Sequence, residues 1–316
     1  MKVLANDGIA QSGISALEAA GYEVILTNVA HNQLVDYINK NEITVLLVRS
    51  ATKVRTDIIE GCPSLKIIGR GGVGMDNIDV EYAREKGLTV INTPAASSHS
   101  VAELVFAHLY GMARFLHTAN REMPLEGDSR FKDMKKAFAN GIELKGKTIG
   151  IIGIGRIGKA TAKIALGNGM KVIAYDPHIE SVDLDFDFYN GESVNFTIDT
   201  ISKEEVLQQS DFITLHVPAH KEYVIGTEEF KLMKQGTMLV NAARGGVVDE
   251  IALVKAIEDG IIFHAALDVF EKEPSPEIQL LMNPALSLSP HIGAATAEAQ
   301  ERIGEELAQQ IISILG

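Results

Sequence analysis

Near its middle the chain reads Thr148-Ile149-Gly150-Ile151-Ile152-Gly153-Ile154-Gly155-Arg156-Ile157-Gly158, an apolar run followed by three spaced glycines. The run predicts a buried strand, and a helical pattern follows the last glycine. In such a strand–turn–helix, Gly153 and Gly155 allow a tight turn and the close approach of a pyrophosphate, and Gly158 lets the helix pack on the strand. The helix N-terminus adds N–H groups that bind phosphate. The context favours a dinucleotide site over the alternative, a purely structural glycine turn.

An acidic residue follows the next predicted strand, Lys171–Tyr175. Asp176 at this position can accept hydrogen bonds from both ribose hydroxyls of a dinucleotide. Because a carboxylate repels a 2′-phosphate, Asp176 favours NAD over NADP as the cofactor.

Short β-rich runs alternate with helical patterns along almost the whole chain. The alternation predicts βαβ crossovers and parallel sheets buried on both faces, in two series that begin at the N-terminus and at Thr148. We therefore expect an α/β protein with two doubly wound parallel-sheet domains. The predicted strands are Val3–Ala5, Val24–Thr27, Ile43–Val48, Lys66–Gly69, Thr89–Asn92, Thr148–Ile152, Lys171–Tyr175, Phe212–Val217, Thr237–Asn241, His264–Leu267 and Ala285–Leu288.

Composition excludes several functional classes. The 316 residues carry a net charge of −13, which argues against binding to nucleic acid or to anionic membranes. A single cysteine, Cys62, excludes an internal disulfide framework and a cysteine-rich metal site. The apolar runs are too short to span a bilayer, and the N-terminus lacks a signal-peptide pattern, so we expect a cytoplasmic protein.

The segment between the two series predicts a helix. Ser100 to Glu103 has the spacing of a capping box, which predicts a helix start there. His99, His108 and His117 lie on or beside this helix. Since a spacing of nine residues rotates each by about 180° from the one before, they cannot converge on one ion, and we expect no metal site.

Two further segments have clear periodicities. Residues 183–200 alternate apolar and polar residues around an Asn190-Gly191 turn signal, which predicts a hairpin. A three-residue loop, Asn190 to Glu192, would pair Phe188 with Val194 and Phe186 with Phe196 on one face. Ala294–Leu315 predicts one amphipathic helix that could pack on either sheet.

A second set of polar residues follows predicted strands, where open α/β sheets bind their ligands. Hydride transfer at a carbinol carbon needs a proton acceptor, a cation for the substrate oxygens and a group that supports the base. His291 can take the proton, Arg244 can bind oxygen bidentately, and Glu273 can hold the imidazolium. Singly, each would be better explained as a core residue or a salt bridge. Together, beside a dinucleotide turn, they predict a catalytic site.

At this point the chain resembles the D-isomer specific 2-hydroxyacid dehydrogenases. The resemblance spans nearly the whole chain and lies in four ordered motifs: Gly153–Gly158 with Asp176, Asn241–Gly246, Asp268–Pro274 and Pro290–Ala294. It implies a Rossmann NAD-binding domain at residues 99–293 and a discontinuous, flavodoxin-like substrate domain at residues 1–98 and 294–316. It also implies a homodimer or larger homo-oligomer joined through the NAD-binding domain, and the helix after Ser100 is the candidate interface.

The resemblance implies roles for individual residues. The catalytic set is Arg244, Glu273 and His291. The cofactor set is Val73, Gly153, Gly155, Arg156, Ile157, Gly158, Asp176, Val217, Ala242, Arg244, Asp268, His291, Gly293 and Ala294. The substrate set is Arg49, Ser50, Arg70, Val73, Gly74, Arg244 and His291.

Within the family, Val48–Thr52, Gly69–Asp79 and Asn92–Pro94 resemble members that act on a phosphorylated hydroxy acid. Arg49 and Arg70 would face the phosphate, although both could instead be ordinary loop-end salt bridges. The expected reaction is NAD-dependent oxidation of 3-phospho-D-glycerate to 3-phosphooxypyruvate, the first step of serine biosynthesis. Two alternatives stay open: reduction of hydroxypyruvate or glyoxylate, and a dinucleotide-sensing protein similar to co-repressors of this fold. Because the chain ends at Gly316, we do not expect feedback control through a C-terminal regulatory domain.

Overall fold

The structure is a computed structural model that describes all 316 residues. The elements up to residue 113 are, in chain order, β1 (Lys2–Ala5), α1 (Gln11–Ala19), β2 (Glu23–Ile25), α2 (His31–Asn41), β3 (Ile43–Val48), α3 (Thr56–Gly61), β4 (Ile67–Arg70), α4 (Val80–Glu85), β5 (Thr89–Asn92) and α5 (Ser98–Ala113). Those that follow are α6 (Leu116–Glu126), α7 (Phe131–Ala137), a short 3-10 helix (Phe138–Asn140), β6 (Thr148–Ile152), α8 (Arg156–Gly167), β7 (Lys171–Tyr175), β8 (Ser181–Asp187), β9 (Ser193–Asp199), α9 (Lys203–Gln209), β10 (Phe212–Leu215), α10 (Thr227–Leu232), β11 (Thr237–Asn241), α11 (Glu250–Glu258), β12 (Ile262–Leu267), α12 (Ile278–Leu281), β13 (Leu286–Leu288) and α13 (Ala297–Leu315).

The chain divides into two compact units. The first comprises Met1–Ser100 and Ala294–Gly316, and the second comprises Val101–Gly293. Each unit contains one parallel sheet, so the predicted α/β class with two doubly wound sheets is confirmed.

The first unit has five parallel strands in the order β2-β1-β3-β4-β5. Its central strand β3 is apolar except for Thr44, which is typical of a strand covered by helices on both faces. Helix α13 packs in this unit, which answers the question of which sheet it covers: Ile303, Leu307 and Ile311 lie in its core. Helices α1 and α13 cross closely, because a Cβ on Gly13 would lie only 2.6 Å from the Gly304 carbonyl oxygen.

The second unit has six parallel strands in the order β13-β12-β11-β10-β6-β7. All five residues of β11, in the middle of this sheet, are buried. The strand order reverses between β6 and β10, since β7 lies on one side of β6 and β10 on the other. In open α/β sheets, such a reversal leaves a crevice at the carboxyl ends of the strands, where ligands bind.

The predicted hairpin is present as β8 and β9, but its predicted register is wrong. Phe186 pairs with Val194 and Leu184 with Phe196, so each partner is two residues away from the predicted one. The three-residue loop is Tyr189–Gly191, closed by a hydrogen bond from Phe188 N to Glu192 O, and Gly191 has a φ of 84°. A left-handed residue belongs at the last position of such a loop, which moves the loop one residue back. A two-residue shift in pairing keeps the same apolar face.

The helix start predicted at Ser100 is also wrong, because α5 begins at Ser98. Ser100 does not cap the helix, and its Oγ lies 2.8 Å from Oγ1 of Thr296 instead. The apolar residues of α5 lie in the core of their own unit, among them Val105, Leu109 and Met112.

Candidate active site

The carboxyl edge of the second sheet brings together the predicted catalytic and dinucleotide-binding residues of this unit. Since parallel strands end at one edge, the loops that follow them are neighbours in the order of the strands. From β13 to β7 these loops carry His291, then Asp268 and Glu273, then Arg244, then Val217, then Gly153–Gly158, and finally Asp176.

The glycine turn after β6 has the geometry of a phosphate cradle. Gly153 has a φ of 93°, and a Cβ there would lie 2.5 Å from the His216 carbonyl oxygen. A Cβ on Gly158 would collide with the Gly153 carbonyl oxygen, so helix α8 lies directly against the turn. By contrast, a Cβ on Gly155 would meet no atom within 4 Å. The turn therefore leaves open space at the N-terminus of α8, which fits a pyrophosphate.

Asp176 is held in place at the end of β7. Its two carboxylate oxygens accept hydrogen bonds from Ile154 N at 3.1 Å and from His178 N at 2.9 Å. A carboxylate has further lone pairs, so Asp176 can still accept from ribose hydroxyls. Together with the glycine turn, Asp176 fits NAD.

Glu273 and His291 form the hydrogen-bonded pair predicted for the base. Glu273 Oε2 lies 2.9 Å from His291 Nδ1, and Glu273 Oε1 accepts from Phe270 N at 3.1 Å. The two side chains are 38% and 42% exposed, so both are accessible. Because Nδ1 is bound to the carboxylate, Nε2 is the nitrogen that can exchange a proton with a substrate.

Arg244 lies in the loop after β11, and its guanidinium donates to the Ala243 carbonyl oxygen at 2.6 Å. The Asn241 side chain accepts from Ala243 N at 3.1 Å and donates to the Arg244 carbonyl oxygen at 3.0 Å, which fixes the turn. A Cβ on Gly245 would collide with the Phe270 carbonyl oxygen. The Arg244 loop is therefore packed against the loop that carries Glu273.

Asp268 is buried, at 1% exposure, and its carboxylate holds the His291 loop by hydrogen bonds. Its Oδ1 accepts from Ser289 Oγ at 2.6 Å and from Ile292 N at 2.8 Å, and its Oδ2 accepts from Gly293 N at 2.8 Å. These bonds engage both carboxylate oxygens within the protein. The contact with NAD implied for Asp268 stays a prediction.

The residues predicted in the first unit lie at the carboxyl edge of its own sheet. Arg70 ends β4 and pairs with Val48, the residue before Arg49, so the two arginines follow neighbouring strands. The Arg70 guanidinium covers Gly72, where a Cβ would collide with it. Ser50 is exposed next to Arg49.

Side chains that follow neighbouring strands hold these loops. Asp7, after β1, accepts from Arg49 N at 2.7 Å, from Thr52 N at 3.1 Å and from Thr52 Oγ1 at 2.7 Å. Asn77 donates to the carbonyl oxygens of Arg49 and Thr52, at 2.7 and 2.6 Å. Asn92 donates to the Val73 carbonyl oxygen at 2.7 Å, next to Gly74.

The other predicted cofactor residues keep their roles as predictions. Arg156 is exposed, Ile157 and Val217 are half-buried, and Ala242 is buried. Ala294 lies in the first unit, where its carbonyl oxygen accepts from Gln300 Nε2 at 2.7 Å.

Sequence reasoning missed the supporting residues Asp7, Asn77 and Ser289. Asp7 stands two residues after the predicted strand Val3–Ala5, a position that favours a polar residue at the carboxyl edge of the sheet. Asn77 lies within the Gly69–Asp79 motif, but its contacts with the Arg49 loop and those of Ser289 were not predictable, because their partners are distant along the chain.

The chain contains neither a cluster of metal ligands nor a helix that could cross a membrane. No cluster of three or more His, Cys, Asp or Glu side chains could hold a metal ion. None of the helices combines the length and the apolar character that a membrane span requires.

A comparison with protein families decides the relationship. Residues 106–293 match the model of the NAD-binding domain of D-isomer specific 2-hydroxyacid dehydrogenases. The chain belongs to this family. The match confirms the resemblance seen in the sequence and the prediction of NAD as the cofactor of this family's domain.

Two of the curated relatives of the chain carry different names. It is 42% identical to a D-3-phosphoglycerate dehydrogenase of Methanocaldococcus jannaschii, over 100% of this chain and 57% of the relative. It is 47% identical to a hydroxypyruvate reductase of Thermotoga maritima, over 87% of this chain and 86% of the relative. The chain thus spans somewhat more than half of the length of the D-3-phosphoglycerate dehydrogenases that it matches.

A solved structure supports the fold along the whole chain. The NAD⁺-bound 3-phosphoglycerate dehydrogenase of Entamoeba histolytica is 27% identical and superposes with a TM-score of 0.76, covering 99% of this chain and 95% of that one.

Proposed function

We propose that the chain is an NAD-dependent dehydrogenase that oxidises 3-phospho-D-glycerate to 3-phosphooxypyruvate, the first step of serine biosynthesis. The observation that carries the chemistry is the 2.9 Å contact between Glu273 Oε2 and His291 Nδ1 at the edge that also carries the glycine turn. The names of several relatives support the choice of substrate.

The proposed reaction divides its work among three side chains. His291 Nε2 removes the hydroxyl proton of the substrate, and Glu273 stabilises the imidazolium that forms. Arg244 binds the substrate carboxylate and the oxygen that becomes the carbonyl. NAD, when bound by the glycine turn and Asp176, supplies the acceptor for the hydride that leaves the carbinol carbon.

The proposed substrate explains the two arginines of the first unit. We assign residues 1–98 and 294–316 to substrate binding and residues 99–293 to NAD binding. Phosphoglycerate carries about three negative charges, so a chain with a net charge of −13 must concentrate cations locally to hold it. Arg49 and Arg70 lie at the ends of neighbouring strands, and we assign them to the phosphate, with Ser50 beside Arg49. We assign the Val73-Gly74 backbone to the substrate carboxylate.

Replacing these arginines tests the substrate. Arg49→Ala or Arg70→Ala should reduce kcat/KM for 3-phospho-D-glycerate by about 10- to 150-fold, which corresponds to the ~1.5–3 kcal/mol of a hydrogen bond to a charged group. The same variants should barely affect turnover of hydroxypyruvate, which lacks the phosphate. Arg55→Ala, at an exposed neighbouring position, is the matched control. Equal losses on both substrates would show that the arginines are structural, and the phosphoglycerate assignment would fail.

A specific observation favours a second candidate, the reduction of hydroxypyruvate. The Thermotoga maritima hydroxypyruvate reductase is 47% identical to the chain, against 42% for the Methanocaldococcus jannaschii relative. The match covers 86% of the Thermotoga maritima protein. This reaction would use Arg244, Glu273 and His291 in the reverse direction, with the imidazolium as proton donor. A wild-type preference for hydroxypyruvate over phosphoglycerate would select this candidate.

The choice of cofactor can be tested at Asp176. Asp176→Ala should weaken NAD binding and relax the discrimination against NADP, because the 2′-phosphate no longer meets a carboxylate. Isothermal titration with both nucleotides measures the effect. Asp185→Ala, in the exposed hairpin, is a control of equal charge change. Equal affinity of the wild type for NAD and NADP would contradict the role of Asp176.

We propose further that the chain forms a homodimer through residues 116–137 of the NAD-binding unit. Helix α5, the interface suggested by the sequence, buries its apolar residues within its own unit. Helices α6 and α7, by contrast, carry several exposed apolar side chains close together in the chain: Leu116 is 62% exposed, Leu125 81% and Phe131 56%. Leu125→Glu combined with Phe131→Glu should yield monomers in light scattering, and an unchanged dimer would exclude this surface.

A further inference from the structure

A buried histidine on α5 connects to the strand that leads to His291. His108 is 8% exposed, and both of its ring nitrogens contact serine hydroxyls. Nδ1 lies 2.9 Å from Ser287 Oγ, and Nε2 lies 3.0 Å from Ser289 Oγ. The serines belong to β13 and the residues after it, directly before His291.

The hydrogen bonds of this group have only one consistent direction. Ser289 gives its single proton to Asp268 Oδ1, at 2.6 Å. Its oxygen must therefore accept from Nε2–H of His108. Because burial keeps the pKa of His108 below the ordinary histidine value, the ring is neutral at pH 7 and has one N–H, so Nδ1 accepts from the Ser287 hydroxyl. The chain of donors runs from Ser287 through His108 and Ser289 to Asp268.

Asp268 connects this row of hydrogen bonds to the loop that carries His291. Its two oxygens accept from the backbone N–H groups of Ile292 and Gly293, the two residues after His291. His291 itself has a φ of 55°, in the left-handed region that few residues other than glycine adopt. Backbone of this kind persists only where its surroundings hold it from several sides.

We propose that His108 is a positioning residue for His291. It fixes the Ser289 hydroxyl toward Asp268, which keeps the Asp268 carboxylate aimed at the N–H groups of Ile292 and Gly293 and so holds the backbone that presents the His291 imidazole. The role of His291 in proton transfer rests on the proposed function. The connection from His108 to the 291–293 loop rests on the hydrogen bonds alone.

Two substitutions at His108 separate positioning from packing. His108→Leu removes both hydrogen bonds. His108→Gln keeps an N–H donor that can reach Ser289, so it should behave nearly as the wild type. Met112→Ala, one turn further along α5 and fully buried, disturbs the helix without touching the serines and is the matched control.

The first measurement needs no substrate. In amide hydrogen exchange, Ile292 and Gly293 should exchange about tenfold faster in His108→Leu, the effect of weakening one hydrogen-bonded arrangement. Both amides should keep wild-type rates in His108→Gln and in Met112→Ala. The nitrogen-15 shifts of the His108 ring should identify the Nε2–H tautomer. Unchanged exchange of both amides in a folded His108→Leu protein, or the Nδ1–H tautomer, would overturn the proposal.

The second measurement reads the consequence for turnover. With the preferred 2-hydroxy acid, His108→Leu should lower kcat by about threefold to tenfold at unchanged KM for NAD, and His108→Gln should restore it. If His108→Leu fails to fold, Ser289→Ala takes its place, because it breaks the same connection and deletes only a hydroxyl. A loss of kcat in Met112→Ala equal to that in His108→Leu would show general packing and overturn the proposal. If the wild type turned over no 2-hydroxy acid, the proposed function would fail, while the exchange rates would still decide the role of His108.

Discussion

The loop that carries Arg49 and the loop that carries His291 are held by the same device in two different sheets. In each, an aspartate after one strand accepts hydrogen bonds from the loop after the neighbouring strand. Asp7 accepts from two backbone N–H groups and the Thr52 hydroxyl. Asp268 accepts from two backbone N–H groups and the Ser289 hydroxyl. A carboxylate with its several lone pairs can thus fix a whole loop.

The two aspartates differ in their burial and in the side chains that support their hydrogen bonds. Asp268 is 1% exposed and its serine is held by His108, whereas Asp7 is half-buried and shares Thr52 with the Asn6 amide. A group that moves a proton needs tighter placement than a group that attracts a charge, because proton transfer requires hydrogen-bond distance. We therefore expect the His291 loop to be the more rigid of the two.

The largest expected effect comes from His291 itself. His291→Asn should lower kcat by about 10²- to 10⁴-fold, the contribution of general acid–base catalysis, with NAD affinity little changed. Steady-state kinetics and a separate NAD titration measure the two quantities. Glu273→Gln is the companion variant, which should change the pH profile of kcat because the carboxylate stabilises the imidazolium. Wild-type turnover by His291→Asn would contradict the proposed role of His291 in proton transfer, and the hydrogen bonds around Asp268 would then not serve catalysis.

The second effect compares the two aspartates directly. Asp268→Asn should lower the free energy of unfolding by about 3 kcal/mol and Asp7→Asn by about 1.5 kcal/mol, because the amide presents N–H groups to N–H donors and burial raises that cost. Urea denaturation provides both values. Asp185→Asn, exposed in the hairpin, should change stability by less than about 0.5 kcal/mol. A larger loss for Asp7→Asn than for Asp268→Asn would reverse the comparison.

The smallest expected effect is a dependence of stability on pH. It applies only to the hydrogen bonds around Asp268, because those around Asp7 include no histidine. Burial lowers the pKa of His108, His117 adds to this, and Asp268 opposes it. The unfolded chain therefore binds the proton first, and the wild type loses stability as pH falls below the ordinary histidine value of about 6.5, by up to ~1.4 kcal/mol per unit.

The His108→Gln variant has no ionisable side chain at this position, so it lacks the loss of stability that His108 causes at low pH. The stability difference between that variant and the wild type should therefore shift in favour of the variant as pH falls from about 6.5 to 5. Denaturation curves at several pH values measure it. The Met112→Ala control exchanges no titratable group, so its difference from the wild type should stay constant. A constant difference for His108→Gln as well would mean that the ring does not titrate with folding.

The sequence predicted the sheets well because their signals are local. Buried parallel strands are mostly apolar, as in Ile43–Val48 and Thr237–Asn241, and both have the predicted bounds. The predicted pairing of the hairpin strands was wrong, because a single residue decides between two positions of the loop. Gly191 had to occupy the left-handed position of the hairpin loop, and that requirement moved the pairing by two residues.

The site was predictable to the extent that its residues follow strands. Arg244, Asp268 and His291 each stand after a predicted strand, and the parallel sheet places their loops at one edge. The supporting contacts were not predictable, because their partners are far apart in the chain. His108 meets Ser287 across 179 positions, and no local pattern records such a contact.

The close crossing of α1 and α13 has a consequence for how the chain folds. The Ser12 hydroxyl donates to the Glu301 carbonyl oxygen across 289 positions. Contacts this distant are slow to form, because the loop between them must close first. The second unit lies wholly within that loop, so its folding shortens the search by bringing Val101 and Gly293 into contact. During synthesis, the N-terminal sheet is made first but is completed last, and until α13 arrives its core residues Val3 and Leu47 lack part of their cover. A chaperone that binds exposed apolar strands would meet the newly made protein at this sheet.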